Sequence, residues 1–310
     1  MNVGNIHLNL PVIAAPMDTV CDTDMCIAIS KQGGMGILHR YMPIEDLVRK
    51  TSYLVNNGVN FGVSIGATNG YMSDAYSLID AGAELILVDT ANGHSTYAIN
   101  AVKSLRKEFG HSIHIMAGNI ATYDGYRRLE DAGADSVRVG IGGGAACTTR
   151  IVSGHGVPTL QSIIDIYEKT KHTKRKTAII ADGGIRNSGD MVKAFAAGAD
   201  AVMVGSMFAG TDESPGEIIT NINNEKIKVF RGMASAAAQK DAAGKVSVSE
   251  GISTTVPYKG SVLSIINDIR GGLGSGCSYS GAENLAELAE IAEFVVVSSA
   301  SLHESKPHAL

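Results

Sequence analysis

Apolar residues along the chain gather in short runs, separated by stretches in which they recur every three or four positions. The runs read PVIAA (11–15), MGILH (35–39), FGVSIG (61–66), LILVD (85–89), IHIMAG (113–118), SVRVG (136–140), AIIAD (178–182) and AVMVG (201–205). They lack strict apolar–polar alternation, as expected of strands covered on both faces. Helical periodicity fills the spaces at 44–56, 71–81, 95–108, 122–132, 159–169 and 187–197. One joint recurs, as DAGAELILV (80–88), DAGADSVRV (131–139) and AAGADAVMV (196–204). Each is a helix end, a glycine suited to the left-handed conformation that stops a helix, a short polar turn and a new apolar run. Eight such βα units predict an α/β fold, a (β/α)8 TIM barrel. A doubly wound sheet would need fewer strands and one dominant Gly-rich first turn.

The remainder, 206–310, does not repeat the unit. The stretch 232–251, rich in Gly, Ala, Ser and Lys, reads as a mobile flap. Helix-like segments follow at 260–270 and 282–291, then a strand-like FVVV at 294–297. No linker or shift of composition interrupts the chain, so one barrel domain over 1–310 is expected, with a C-terminal flap and tail.

Composition narrows the function. With 310 residues, 45% of them hydrophobic and 18% charged, the chain can fill a large core. A net charge of -5 offers no basic face for nucleic acid, and 5% aromatic content without Trp offers no base-stacking platform. The four cysteines form no CxxC pair and no zinc spacing, which points to a reducing cytoplasm rather than a disulfide framework. Neither a leader nor an apolar run of about 20 residues marks a membrane segment. The nine histidines show no ligand spacing.

Barrel chemistry sits at the C-terminal ends of strands. Those ends carry Pro16–Met17–Asp18, Asp89 to Gly93, Gly118–Asn119, GIGGGAACTTR (140–150), Asp182–Gly183–Gly184 and Gly205–Ser206. The glycine-rich loop exposes amides and carbonyls, and Cys147 beside Arg150 reads either as an activated nucleophile or as an inert packed thiol. Glycine turns after the seventh and eighth strands read either as a phosphate pocket or as tight turns alone. Asp89 and Asn119 face the mouth or cap strand ends. The basic TKHTKRK (170–176) reads as a solvated helix end.

Taken together, APMDTV (15–20), QGGMGILHR (32–40), DTANGHS (89–95), AGN (117–119), VGIGGGAACTTR (139–150), ADGGIRNSGD (181–190), VMVGSMFAGTDESPGE (202–217), FRGMAS (230–235), EG (250–251), VPYKG (256–260) and HESKPH (303–308) resemble the IMP dehydrogenase/GMP reductase family. The resemblance runs in order through nearly the whole chain. It implies a purine nucleotide oxidoreductase using NADPH or NAD+. Cys147 resembles the nucleophile that attacks C2 of the purine, with Thr149 assisting proton transfer. Asp182, Gly183, Gly184, Gly205 and Ser206 match the ribose and 5'-phosphate positions. Met233, Glu250 and Gly251 match those around the base, and Asp89 and Asn119 those near the nicotinamide. The carbonyls of Gly142, Gly144 and Cys147, with Glu304, Ser305 and Lys306 of a neighbouring chain, resemble the family's potassium site. Homotetramers are implied.

Departures sort the members. No regulatory CBS pair stands between the second and third strands. Ala145 replaces a phosphate-contacting serine, and Phe230 a tyrosine of the dehydrogenases. Dehydrogenases of the family carry an Arg–Tyr pair in the flap that activates water. Between Gly232 and Pro257 there is neither Arg nor Tyr. Loss of a general base slows such a step by about 10²–10⁴-fold. The flap and the missing CBS pair favour a GMP reductase. APMDTV, FRGM and HESKPH lean toward an IMP dehydrogenase. Flavin-binding barrels, phosphate-sugar isomerases or lyases, and an inactive nucleotide-binding relative are the more distant alternatives.

Overall fold

Eight parallel strands close on themselves in the computed structural model, which describes residues 1–173 and 177–307. An antiparallel hairpin, β1 (Asn2–Val3) and β2 (Ile6–His7), precedes them. The barrel strands are β3 (Val12–Ala14), β4 (Met35–Leu38), β5 (Phe61–Ile65), β6 (Leu85–Asp89), β7 (His114–Ile120), β8 (Ser136–Val139), β9 (Ala178–Asp182) and β10 (Ala201–Val204). Pairing of β10 with β3, Val204 opposite Ala14, completes the ring. All eight expected strands therefore exist.

Helices α1 (Thr23–Lys31), α2 (Ile44–Asn56), α3 (Tyr71–Asp80), α4 (Thr96–Phe109), α5 (Tyr123–Ala132), α6 (Thr149–Ser153), α7 (Thr159–Thr170) and α8 (Ser188–Ala196) lie between strands. The recurring joint behaves as its glycine requires: Gly82, Gly133 and Gly198 have φ of +96°, +102° and +98°. Side-chain parity then divides each strand. Val12, Val63, Val88, Ala117, Val137 and Val202 pack outward with the helices. Ile13, Met35, Ile37, Leu87, Met116, Ile180 and Met203 pack inside the barrel, together with Val3 and Leu8 from the N-terminal segment.

Beyond β10 a second sheet is built from β11 (Ile219–Thr220), β12 (Lys226–Arg231) and β13 (Ser253–Pro257), all antiparallel. The stretch expected as a flap contains a helix, α9 (Ala236–Ala243), capped by the Ser235 hydroxyl on the Ala238 N–H. Helix α10 (Val262–Ser280) is longer than the 260–270 pattern suggests and packs on α8. Then come α11 (Leu285–Ile291) and α12 (Ser299–Glu304). The expectation of a strand at FVVV is corrected: 294–297 forms none, and Val295 and Val296 stand exposed with no strand to pair with. Of the basic 170–176 segment, 174–176 lie outside the described residues, as does His308 of HESKPH. No described helix is long and apolar enough to cross a membrane.

Candidate active site

The loop after β8 meets the end of β9 because glycine lets it. Gly140 has φ +143°, and a Cβ there would sit 1.9 Å from the Asp182 carbonyl oxygen. Any side chain would force the two strand ends apart. Beside this contact a cavity of about 220 Å³ opens at the barrel mouth. It is lined by Gly142 to Cys147, Asp182 to Ile185, Gly205, Ser206, Met17, Phe230, Met233 and Glu250, and by Asp89 and Asn119 of β6 and β7.

Cys147 is half-buried on this wall and unpaired with any other cysteine. Its Sγ donates to Thr149 Oγ1 at 3.2 Å, and Thr149 Oγ1 donates to Glu250 Oε2 at 2.8 Å. The backbone sets this line. Thr148 N–H donates to the Glu250 carbonyl at 2.9 Å, and Ile252 N–H to the Ala146 carbonyl at 2.9 Å. The end of the flap thus runs antiparallel to the cysteine loop, with Gly251 opposite Cys147. Gly251 is buried behind the loop rather than on the cavity wall. The chain of thiol, hydroxyl and carboxylate can move a proton between the sulfur and Glu250. The idea of a cationic neighbour to the thiol is corrected: Arg150 donates to the carbonyls of Ile141 at 3.1 Å and Val157 at 2.6 Å, and so braces the loop.

Across the mouth, Arg138 ties three strands together, a role that the sequence reading missed. Its Nη1 donates to Asp89 Oδ1 at 2.7 Å, and its Nη2 to Asp182 Oδ2 at 2.8 Å. Burial of the guanidinium opposes its charge, but Asp182 and Asp89 outweigh that and hold its pKa above the ordinary arginine value. Asn119 Nδ2 donates to the same Asp182 oxygen at 2.7 Å and to the Gly140 carbonyl at 2.8 Å. The bonds that reach Asp182 from Asn119 and Arg138 all use Oδ2. Arg40 approaches Asp89 at 3.5 Å from β4's end. The signal for Arg138 was present: a charged residue between Val137 and Val139, which face outward, must point into the barrel.

The two glycine turns stand together as expected. Gly183 and Gly184 have φ of +88° and +83°, and Gly205 and Ser206 line the same cavity. The N–H groups of Ser206 and Met207 donate to nothing among the described residues. Ala145 and Phe230 also line it. Met233 Sδ accepts from the Asp18 N–H at 3.3 Å. Arg231, also unforeseen, links Asp18 at 2.6 Å to Asp241 of α9 at 2.7 Å. In the potassium set, the Gly144 carbonyl accepts from Cys147 N–H at 3.0 Å. Glu304 ends α12, with Ser305 and Lys306 exposed after it.

The model of the IMP dehydrogenase / GMP reductase domain matches residues 2–308. An inosine-5'-monophosphate dehydrogenase of Borreliella burgdorferi is 36% identical over 98% of this chain and 89% of its own length. One from Nitrosopumilus maritimus is 43% identical over 80% of this chain, and one from Rhizobium tropici 46% over 79%. The chain spans about half the length of these last two, 54% and 50%. Among solved structures, a cysteine-to-alanine variant of GMP reductase from Trypanosoma brucei, in complex with guanosine 5'-monophosphate, superposes with a TM-score of 0.91. It is 29% identical and covers 99% of this chain and 92% of its own. Proteins of this kind are NAD(P)-dependent oxidoreductases acting on purine nucleotides. With the family model spanning residues 2–308, the chain belongs to the IMP dehydrogenase/GMP reductase family.

Proposed function

We propose that the chain is a GMP reductase, converting GMP, NADPH and a proton to IMP, ammonia and NADP+. The observation that carries this reading is the flap. The segment that closes over Cys147 brings Glu250 to Thr149, yet between Gly232 and Pro257 it contains no Arg or Tyr to activate water. That arrangement suits departure of an amino group better than hydrolysis.

In this scheme Cys147 Sγ bonds to C2 of the purine while its proton passes through Thr149 toward Glu250. The C–N bond at C2 then breaks, and the amino group leaves as ammonia with a proton returned along the same path. NADPH, when bound, supplies a hydride to C2. The carbon–sulfur bond breaks with its electron pair returning to the thiolate, and IMP departs. The adduct divides one hard displacement into two easier steps. Asp182 would accept from the ribose hydroxyls through Oδ1, and Gly183, Gly184, Gly205 and Ser206 would hold the phosphate. Met233 would place the base, while Gly251, behind the loop and opposite Cys147, would hold the loop that carries the thiol. Asp89 and Asn119 line the thiol's cavity, which fits their holding the nicotinamide end. Asp89 meets it already paired with Arg138. Carbonyls of Gly142, Gly144 and Cys147 would bind potassium, completed by Glu304, Ser305 and Lys306 of a neighbouring copy in a homotetramer.

The curated relatives are dehydrogenases, which supports the second reading: IMP, NAD+ and water to XMP and NADH. Incubation with GMP plus NADPH, and separately with IMP plus NAD+, decides between them. The expected result is IMP from the first mixture and no XMP from the second. XMP from the second alone overturns the reductase assignment. Cys147→Ala is expected to abolish turnover in either case.

A further inference from the structure

Two lysines outside the reacting cavity hold the carbonyl side of the turn that follows β10. Lys259 Nζ donates to the carbonyl oxygens of Ser206 at 2.8 Å and Met207 at 3.0 Å. Lys228 of β12, only 2% exposed, donates to the carbonyls of Thr211 and Ser214 farther along. Main-chain bonds from Lys259 N–H to the Gly210 carbonyl at 2.8 Å, and from Asp212 N–H to the Gly260 carbonyl at 2.9 Å, fasten the same two segments. These contacts reach the turn from the second sheet and the loop after it.

A trans peptide is planar, so its C=O and N–H point opposite ways. An ammonium group on the Ser206 oxygen therefore fixes the Met207 N–H on the side away from Lys259. The next two N–H groups are already used: Phe208 and Ala209 both donate to the Gly205 carbonyl, at 3.0 and 3.1 Å. Those of Ser206 and Met207 have no partner among the described residues, and Ser206 lines the cavity. A cation at the carbonyl end and an anion at the N–H end favour the same local dipole.

We infer that Lys259 is the positioning residue for the nucleotide's monoester phosphate, holding the peptide between Ser206 and Met207 so that the Met207 N–H faces it. This rests on reading Gly183, Gly184, Gly205 and Ser206 as the phosphate cradle. Lys259 reaches the phosphate through the turn rather than by contact with the reacting atoms.

The test is titration calorimetry of GMP and of IMP against the full chain and its Lys259→Met variant. Both nucleotides carry the same phosphate, so both dissociation constants are expected to rise by a common factor of about 10, the size of one lost charged hydrogen bond. In steady state the KM for GMP should rise alongside while kcat stays within about 2-fold, because the lost interaction is equal in ground and transition states. Lys259→Arg, which keeps a charged donor, should recover most of the affinity. Parent-like affinity in Lys259→Met overturns the inference, and so does a loss confined to one purine. A fall in kcat with unchanged affinity overturns it as well. If the parent binds neither nucleotide, the cradle reading itself has failed and takes the inference with it. Lys259→Gln, which keeps a neutral donor, serves where the methionine variant does not fold.

Discussion

Arg138 shows how one side chain can organise a site without being part of its chemistry. Its charge is buried between two carboxylates, on Asp89 and Asp182, that would otherwise repel each other across the mouth. Removing one partner of a buried pair leaves uncompensated charge, at about 3–5 kcal/mol. Arg138→Met should therefore lower the thermal midpoint by several degrees, read by calorimetry, and raise the KM for nucleotide as Asp182 loses its orientation. An unchanged midpoint would mean that water pairs the two carboxylates as well as arginine does. Glu250→Gln tests the proton path instead. The amide still accepts from Thr149 but cannot take a proton, so turnover should fall about 10²–10⁴-fold with GMP affinity nearly unchanged. That Cys147, Asn119 and Asp182 line the mouth was legible because the barrel rule points at strand ends. Arg138 was hidden inside a strand, where only inward–outward parity exposes it. Arg150 misled because adjacency in sequence says nothing about which way a side chain turns; here it turns to the loop's own carbonyls.

At the scale of elements, the flap is more ordered than its small-residue composition suggests. Ser235 caps α9, and Gln239 donates to the carbonyls of Ala234 and Val248, each at 2.9 Å, so the turn beyond the helix is fastened back onto it. Arg231 joins α9 to the barrel through Asp241 on one side and Asp18 on the other. The Asp241 carboxylate is 64% exposed, so its pair with Arg231 contributes at most about 1 kcal/mol. Asp241→Ala should leave global stability within error but loosen α9, so that trypsin cleaves at Lys240 and Lys245 up to about 5-fold faster. An unaltered cleavage rate would assign the anchoring to Gln239 alone. Sequence periodicity foresaw none of this, because Ala, Ser and Lys serve helix and loop equally and only the cap distinguishes them. The opposite error occurred at FVVV, where β-branched residues suggested a strand; a strand needs a partner edge as well as propensity. The hairpin of β1 and β2 was invisible because two-residue strands carry no period.

Over the whole molecule, the two ends of the barrel divide the labour. The C-terminal mouth holds the charged network and the thiol. The N-terminal end is closed by Val3 and Leu8, and a buried histidine stands there between polar partners. His114 Nδ1 pairs with Asn5 Oδ1 and Nε2 with Ser136 Oγ, both at 2.7 Å. Burial pushes its pKa down to about 4; nearby Asp135 raises it and Arg106 lowers it further. The neutral ring is thus favoured in the fold, whereas in the unfolded chain it protonates near pH 6.5. Between those values the unfolded state binds the extra proton, so stability is full above about pH 7 and falls as the pH drops through 6.5 toward 4. The loss from this residue between pH 7 and pH 5 amounts to about 2 kcal/mol. His114→Gln keeps a donor and an acceptor for Asn5 and Ser136 but does not titrate. Denaturant unfolding of the parent and this variant at both pH values should therefore show a smaller acid loss in the variant, by about that amount. Equal losses would show that the plug admits a proton without opening, and that acid sensitivity belongs to the carboxylates at the other end.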